Sequence, residues 1–213
     1  MSADRAAQSL RALGALAERC ASLAPQIERI ARRYSETLRR GGTLFFAGNG
    51  GSAADAQHIA AEYVVRHQQK RPGLAALALT TDTSLLTAAA NDMGFEEVFA
   101  RQVETLCRPS DLLILHSTSG QSPNLLAAAR AARKRGVAIV ALLGRDGGGL
   151  MEIVDEALVV PSSETGRIQE MHLAIEHVVC ELVESELGIG VSRGSTEYCG
   201  STEYRGVMGN EHD

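Results

Sequence analysis

The sequence predicts an α/β domain in which helices cover both faces of a parallel β-sheet. Three observations support this prediction. Short aliphatic runs recur along the chain, segments with helical periodicity separate them, and the first and third runs end in loops rich in glycine, serine or threonine. Parallel strands are buried on both faces by the helices that connect them, and they therefore appear as continuous hydrophobic runs.

The predicted elements follow one another in a regular order. Apolar residues recur at helical spacing through the first forty residues, with an interruption at Pro25. We expect this helical segment to pack on a partner subunit or on the flank of the domain. Strands are predicted at residues 43–47, 74–79, 111–116, 137–143 and 156–160. Helices are predicted at residues 53–68, 124–135 and 167–187, with a short helix after the polar turn at 80–83.

This order divides the chain into three parts. We assign an N-terminal helical segment to residues 1–40, the α/β domain to residues 41–187 and a C-terminal tail to residues 188–213. The tail contains the sequence Gly-Ser-Thr-Glu-Tyr twice, at 194–198 and 200–204. Its composition predicts a disordered or loosely attached segment.

Composition and charge narrow the classes of function. The 213 residues are 45% hydrophobic and carry a net charge of -5, which argues against general binding of nucleic acid or of an anionic membrane surface. No stretch is long enough to span a bilayer, and no apolar signal segment follows the N-terminus. The four cysteines show no CxxC spacing and are expected to be reduced thiols. We expect a cytoplasmic protein.

The loop after the first strand has the composition of a ligand-binding loop. It comprises residues 48–53, Gly-Asn-Gly-Gly-Ser-Ala, and leads directly into a helix. Glycines allow a ligand to approach the backbone, and the free amides of a helix start favour an anion or a hydroxylated substrate. Two alternatives are a tight structural turn and a dinucleotide fingerprint. The fingerprint lacks its acid about 20 residues further on, since Asp82 lies well beyond that spacing.

The loop after the third strand predicts a phosphate site. Its sequence, Ser-Thr-Ser-Gly-Gln-Ser at residues 117–122, places four hydroxyls between a buried strand and a helix start. The hydroxyls and amides can donate hydrogen bonds, and the helix dipole favours negative charge. Ordinary N-capping explains one such hydroxyl but not four.

Two pairs of histidine and carboxylate occur at helical spacing. His58 and Glu62 are four residues apart on the helix that follows the first loop, so they share one face and suit a metal or acid–base chemistry. A solvated surface pair is the alternative. His172 and Glu176 on the closing helix have the same spacing and are also compatible with a surface pair.

The closing helix carries two further polar candidates, Gln169 and His177. They are eight residues apart, or about 12 Å along a helix, so one straight helix brings them to a common metal only with difficulty. We therefore expect a metal site that uses them to be shared between protomers.

These motifs together resemble the phosphoheptose isomerase family. The resemblance covers residues 41–187 and is carried by the two loops, by Asp55-Ala-Gln-His58, Glu62, Asn91-Asp92 and Arg167-Ile-Gln-Glu170, and by His177. It implies a SIS domain, a flavodoxin-like parallel sheet between helices, in a homotetramer with active sites at subunit interfaces. The implied reaction converts sedoheptulose 7-phosphate to D-glycero-D-manno-heptose 7-phosphate.

The resemblance also implies roles for individual residues. Glu62 and His177 are the implied acid–base pair. The implied zinc ligands, for one ion per subunit, are His58, Glu62, Gln169 and His177. The phosphate would be held by Ser117, Thr118, Ser119 and Ser122, and the sugar would be contacted by Asn49, Gly50, Gly51, Glu62, Asn91, Asp92 and Gln169.

Two non-catalytic functions are alternatives. One SIS relative assists the bacterial replication initiator and shares a segment like residues 167–172, but it lacks the acid and the histidine that correspond to Glu62 and His177. A sugar-phosphate-sensing regulator would need the hydroxyl loop but no catalytic groups. The presence of both Glu62 and His177 favours the enzyme.

Overall fold

The structure is a computed structural model that describes residues 2–189. Five strands form the sheet: β1 (Leu44–Gly48), β2 (Ala76–Ala78), β3 (Leu112–Ser117), β4 (Ala138–Gly144) and β5 (Glu156–Val160). The α-helices are α1 (Ser2–Cys20), α2 (Ala24–Arg39), α3 (Gly51–Val64), α4 (Thr83–Met93), α5 (Ala100–Leu106), α6 (Pro123–Arg135) and α7 (Thr165–Glu186).

All five strands are parallel, in the order β2-β1-β3-β4-β5. The chain moves from β1 outward to β2 and then returns to place β3 on the other side of β1. The order therefore reverses between β1 and β3. In open α/β sheets, ligands bind beyond the carboxyl ends of the strands at such a switch point. The predicted α/β fold with a flavodoxin-like parallel sheet is confirmed.

Alternation along the strands creates two separate cores. Leu44 and Phe46 of β1 point to one face, where they pack with residues of α2, α3 and α7. Phe45 and Ala47 point to the other face, where they pack with residues of α5 and α6. Because successive side chains of a strand alternate between faces, a five-residue aliphatic strand contributes to both cores.

The sequence placed the boundaries of most elements to within one or two residues. The short helix α5 was not predicted, and α3 ends at Val64 rather than near residue 68. The guanidinium of Arg71 explains this early end, because it donates to the carbonyls of Glu62 and Tyr63 at 2.7 Å each. These carbonyls would otherwise accept hydrogen bonds from the next helical turn.

The predictions about the cysteines and about membrane spans can be compared with the described part of the chain. Cys20, Cys107 and Cys180 are buried and unpaired thiols, as expected. Burial raises the pKa of Cys107 to about 12, so this thiol stays protonated. Within residues 2–189, no helix combines the length and apolarity needed to cross a membrane. Cys199 and the repeated segment of the tail lie outside the described residues, and the division at residues 40 and 187 stays a prediction.

Candidate active site

The loops after β1 and β3 meet at the switch point of the sheet. Asn49 of the first loop and Asn124 at the start of α6 exchange two side-chain hydrogen bonds, of 2.9 and 2.8 Å. Each amide donates once and accepts once, so the pair fixes the orientation of both side chains. The two loops that the sequence identified separately therefore form one site.

The glycines of the first loop are required by its conformation and by a close neighbour. Gly50 has a φ of 56°, in the region that favours glycine. A Cβ atom at Gly51 would overlap the side-chain amide of Gln169 from α7. The loop is thus more than a tight turn, because its backbone lies directly against a polar side chain of another element.

A small pocket lies between the two loops. The hydroxyl loop, residues 117–122, supplies half of its lining residues. The lining residues are Asn49, Ser52, His116, Ser117, Thr118, Ser119, Ser122 and Leu125. All four hydroxyl-bearing residues predicted to hold phosphate therefore face one cavity.

Local hydrogen bonds shape the hydroxyl loop and leave donors for a ligand. The Ser117 hydroxyl oxygen accepts the N–H of Gly120 at 3.0 Å, and the Ser119 oxygen accepts the N–H of Gln121 at 3.3 Å. The hydrogen of each of these hydroxyls remains able to donate to an anion. Ser122 occupies the N-cap position of α6 but makes no side-chain capping bond. Capping therefore does not explain the hydroxyl at this position, and the start of a 13-residue helix favours an anion there.

His58, Glu62 and His177 converge within one chain. Their ligating atoms all lie within 4.8 Å of one another. The Nε2 atoms of His58 and His177 are 2.9 Å apart, and Glu62 Oε1 lies 3.6 Å from His58 Nε2. Helix α3 supplies the first two residues and α7 the third, so helix packing brings together positions 119 residues apart. The structure thus brings Glu62 and His177 close together, and their roles as an acid–base pair stay a prediction.

The three side chains fit a zinc ion. Two imidazole nitrogens and one carboxylate oxygen are a common catalytic zinc donor set. Nitrogens bound at 2.0–2.1 Å to a tetrahedral ion lie roughly 3.3 Å apart. The separations of His58 Nε2 from His177 Nε2 and from Glu62 Oε1, 2.9 and 3.6 Å, lie on either side of this value. A metal also requires neutral imidazoles. Partial burial, together with the neighbouring His58 and His67, lowers the pKa of His177, which favours its neutral form.

Gln169 lies between the two parts of the site. Its amide N–H donates to Asp55 Oδ1 at 3.2 Å, and its side chain covers Gly51. Burial raises the pKa of Asp55, although the hydrogen bond from Gln169 opposes the shift. The amide is thus directed at the first loop and α3 in this chain. Its role as a fourth zinc ligand, and the sharing of the site between protomers, stay predictions.

Asn91 and Asp92 lie away from the pocket in the single chain. They occupy the C-terminal turn of α4, where the Asn91 amide donates to the Asp92 carboxylate at 2.7 Å. Both residues are exposed, and neither lines the pocket beside the hydroxyl loop. Their predicted contact with the sugar stays a prediction.

Sequence reasoning missed two histidines and misplaced a pair. His116 lines the pocket, is fully buried and donates to the Glu176 carboxylate at 3.0 Å. His67 contacts Glu62 at 3.0 Å. The surface-pair interpretation of His172 and Glu176 is wrong, because both side chains are completely buried. The sequence did contain a signal for His116, because this histidine directly follows four aliphatic residues of a predicted buried strand.

Comparisons with known proteins agree with this geometry. The family model for the SIS domain matches residues 10–144. The phosphoheptose isomerase of Roseiflexus sp. is 60% identical over 164 residues, which cover 77% of this chain and 83% of that protein.

Solved structures of two phosphoheptose isomerases are similar to most of this chain. The Neisseria gonorrhoeae protein has a TM-score of 0.82 at 40% identity and covers 87% of this chain and 100% of its own. The Francisella tularensis protein has a TM-score of 0.84 at 33% identity, with 87% and 99% covered. The chain belongs to the phosphoheptose isomerase family of SIS-domain proteins.

Proposed function

We propose that this chain is an aldose–ketose isomerase that converts sedoheptulose 7-phosphate to D-glycero-D-manno-heptose 7-phosphate. One observation carries the proposal: a carboxylate and an imidazole converge in the same chain that holds a hydroxyl-lined pocket. Ketose–aldose exchange needs a base for a carbon-bound proton and a group that moves protons between two oxygens. Family membership identifies the sugar phosphate on which these groups act.

The phosphate binds in the hydroxyl loop. Ser117, Thr118, Ser119 and Ser122 donate to its oxygens. At the start of α6 the backbone N–H of Asn124 is the further donor, because Pro123 has no N–H and the N–H groups of the next two residues bond to the Ser122 carbonyl. Because the protein carries a net charge of -5, its overall charge does not attract an anion, and these local hydrogen-bond donors hold the phosphate instead. When the phosphate is held at one end, the carbonyl end of the sugar extends toward Glu62 and His177. Contacts with Asn49, Gly50 and Gly51 orient the hydroxyl-bearing carbons between these two ends.

Glu62 and His177 divide the proton transfers. The Glu62 carboxylate takes a proton from C1 of the ketose and returns it to C2, so that an enediol forms and collapses to the aldose. His177, whose lowered pKa leaves it neutral, accepts the proton of the C1 hydroxyl and supplies one to the C2 oxygen. No net proton is gained or lost, as an isomerisation requires.

A zinc ion, one per subunit, fits beside this pair. His58, Glu62 and His177 would hold it, with Gln169 as the proposed fourth ligand. When bound, zinc polarises a carbonyl as a Lewis acid. A carboxylate offers two oxygens with about four lone-pair sites, so the ligand and base roles of Glu62 can use different lone pairs. A neutral imidazole has one unprotonated nitrogen, so His177 accepts a substrate proton only when that nitrogen is not bound to zinc.

Assembly and location belong to the same proposal. We expect a cytoplasmic homotetramer with active sites at subunit interfaces. The exposure of His58, at 47% of its side chain, and of Asn91 and Asp92 supports an interfacial site, because a substrate held by one chain alone would leave these groups open to water.

An isomerase assay on sedoheptulose 7-phosphate tests the proposal. We expect turnover by the wild type, and a loss of about 10²–10⁴-fold in kcat for Glu62→Gln and for His177→Ala. Treatment with a chelator should reduce activity, and added zinc should restore it. Glu104→Gln is the matched control, since this exposed carboxylate lies on α5 and away from the site. Full activity in both site variants would contradict the mechanism.

The non-catalytic alternatives make a different prediction. A protein that binds a replication initiator, or a regulator that senses a sugar phosphate, needs no converging base and imidazole. Neither is supported by a feature of the described residues. Binding of an initiator protein without turnover of the sugar phosphate would favour the first alternative, and tight sugar-phosphate binding without turnover would favour the second.

A further inference from the structure

His67 lies in the loop that follows α3, five residues beyond Glu62. Its Nδ1 atom is 3.0 Å from Glu62 Oε2. Its ring stacks on that of His177, with centroids 5.4 Å apart and an interplanar angle of 20°. The side chain is only 13% exposed. His67 therefore contacts both members of the proposed acid–base pair.

A buried ion pair fixes the loop that carries His67. Glu184 of α7 accepts the backbone N–H groups of His67, Gln68 and Gln69 at 3.3–3.4 Å and the Arg71 guanidinium at 2.8 Å. The side chains of Arg71 and Glu184 are 1% and 5% exposed. Burial opposes ionisation of Glu184, but the hydrogen bonds from Arg71 and the backbone prevail and lower its pKa. The loop is thus held at a defined position.

The two oxygens of Glu62 have different neighbours. Oε1 lies 3.6 Å from His58 Nε2, on the side of the metal ligands, whereas Oε2 faces His67. A carboxylate on a helix rotates about its terminal torsion unless a partner fixes it. A hydrogen bond to Oε2 turns Oε1 toward His58 and His177.

We propose that His67 is a positioning residue that donates its Nδ1–H to Glu62 Oε2 and thereby orients this carboxylate for metal binding and proton transfer. The inference rests on the proposed function, since it concerns the same carboxylate. Outer partners that hydrogen-bond a ligating group typically change metal affinity or activity by 10–100-fold when removed. The stacking of the His67 ring on His177 also limits the rotation of the His177 imidazole.

Substitutions at His67 can separate the effect of where the donor atom lies from the effect of having a polar side chain there. In His67→Asn the amide nitrogen takes the place of Nδ1, whereas in His67→Gln it lies one atom further out. His67→Phe keeps the ring and the stacking but removes the donor. Glu181→Gln is the matched control: this carboxylate is 51% exposed and lies 4.0 Å from His67 Nε2, so the change affects the other side of the ring and leaves the contact of Nδ1 with Glu62 in place.

The measurements are zinc affinity, by competition with a chromophoric chelator, and kcat and KM for sedoheptulose 7-phosphate. We expect His67→Phe and His67→Gln to lose about 10–100-fold in zinc affinity and in kcat with KM unchanged. His67→Asn should stay within a few-fold of the wild type, as should Glu181→Gln.

Equal zinc affinity and kcat in the Asn and Gln variants would overturn the proposal, even if His67→Phe fails to fold. Failure of the proposed function gives a different result. A wild type that binds no zinc would refute the metal part, and the kcat values of the Asn and Gln variants would then decide the role of His67. Full activity of Glu62→Gln would refute the proposed base itself.

Discussion

Two clusters of histidine and carboxylate side chains lie on different faces of α7, and they differ in their exposure to solvent. The inner cluster, Tyr34, His116, His172 and Glu176, is completely buried. The outer cluster, His58, Glu62, His67 and His177, is partly open to solvent. Both clusters combine histidines with one glutamate, and consecutive residues of one helix, Glu176 and His177, belong to different clusters.

The difference follows from helix geometry. Successive residues of a helix are about 100° apart, so Glu176 faces the sheet while His177 faces α3. In the inner cluster Glu176 Oε1 accepts from Tyr34 at 2.9 Å and from His116 at 3.0 Å. Satisfied hydrogen bonds in a buried site stabilise one packing arrangement of the core. Residue type alone therefore does not distinguish a cluster that stabilises the fold from one that can act on a ligand. Exposure of the side chains to solvent does distinguish them.

The first prediction separates the two clusters by their adjacent members. Glu176→Leu should lower the free energy of unfolding by about 2–5 kcal/mol, because it leaves the Tyr34 hydroxyl and the His116 N–H without an acceptor in the core. His177→Ala should change stability by roughly 0.5 kcal/mol or less while it abolishes most turnover. Urea unfolding and the isomerase assay, applied to both variants, measure the two effects.

The opposite outcome for Glu176→Leu would contradict this distinction between the two clusters. If Glu176→Leu kept its stability but lost turnover in the folded protein, the inner cluster would belong to the catalytic machinery. The two variants can show this, because His116 of the inner cluster also lines the pocket beside the hydroxyl loop.

The sequence predicted the fold and the outer cluster better than the inner one. Continuous aliphatic strands identify a parallel sheet, and the hydroxyl loop and the spacing of His58 and Glu62 mark a site without knowledge of packing. His177 was identified through the resemblance to a family. His67 was missed because its position depends on the Arg71–Glu184 ion pair, which joins residues 113 apart.

The inner cluster was missed for a related reason. Four-residue spacing places His172 and Glu176 on one face of α7 but does not say whether that face meets solvent or the sheet. The answer depends on where β3 places His116 and where α2 places Tyr34. Such long-range packing is a property of the folded chain, which local periodicity does not encode.

The second prediction concerns the pH dependence of the inner cluster. Burial lowers the pKa of His172 to about 3, although its hydrogen bond to the Leu143 carbonyl opposes the shift. The unfolded chain takes up a proton near pH 6.5, and the folded chain does so only near pH 3. Stability is therefore lost as pH falls from about 6.5 toward 3, by about 2 kcal/mol at pH 5.

His172→Gln tests this linkage. Its amide can still donate to Leu143, but it does not titrate. We expect the difference in unfolding free energy between pH 7.5 and pH 5 to be about 2 kcal/mol smaller in this variant than in the wild type. An identical pH dependence would show that acid sensitivity arises elsewhere, and the inner cluster would lose its role in stability at low pH.

The smallest predicted effect tests the contribution of one hydrogen bond to the inner cluster. Burial, reinforced by the charge of Glu176, raises the pKa of Tyr34 well above its usual range, so Tyr34 remains a donor at neutral pH. Tyr34→Phe should cost about 1–2 kcal/mol of unfolding free energy with kcat unchanged. Tyr63→Phe is the matched control: its buried hydroxyl lies beside the Cys180 thiol, a weak hydrogen-bond partner, and makes no hydrogen bond to a carboxylate among the described residues. Because that change removes no bond to a carboxylate, it should be neutral or slightly stabilising. Equal losses in both variants would mean that packing around the rings, and not the hydrogen bond to Glu176, stabilises the inner cluster.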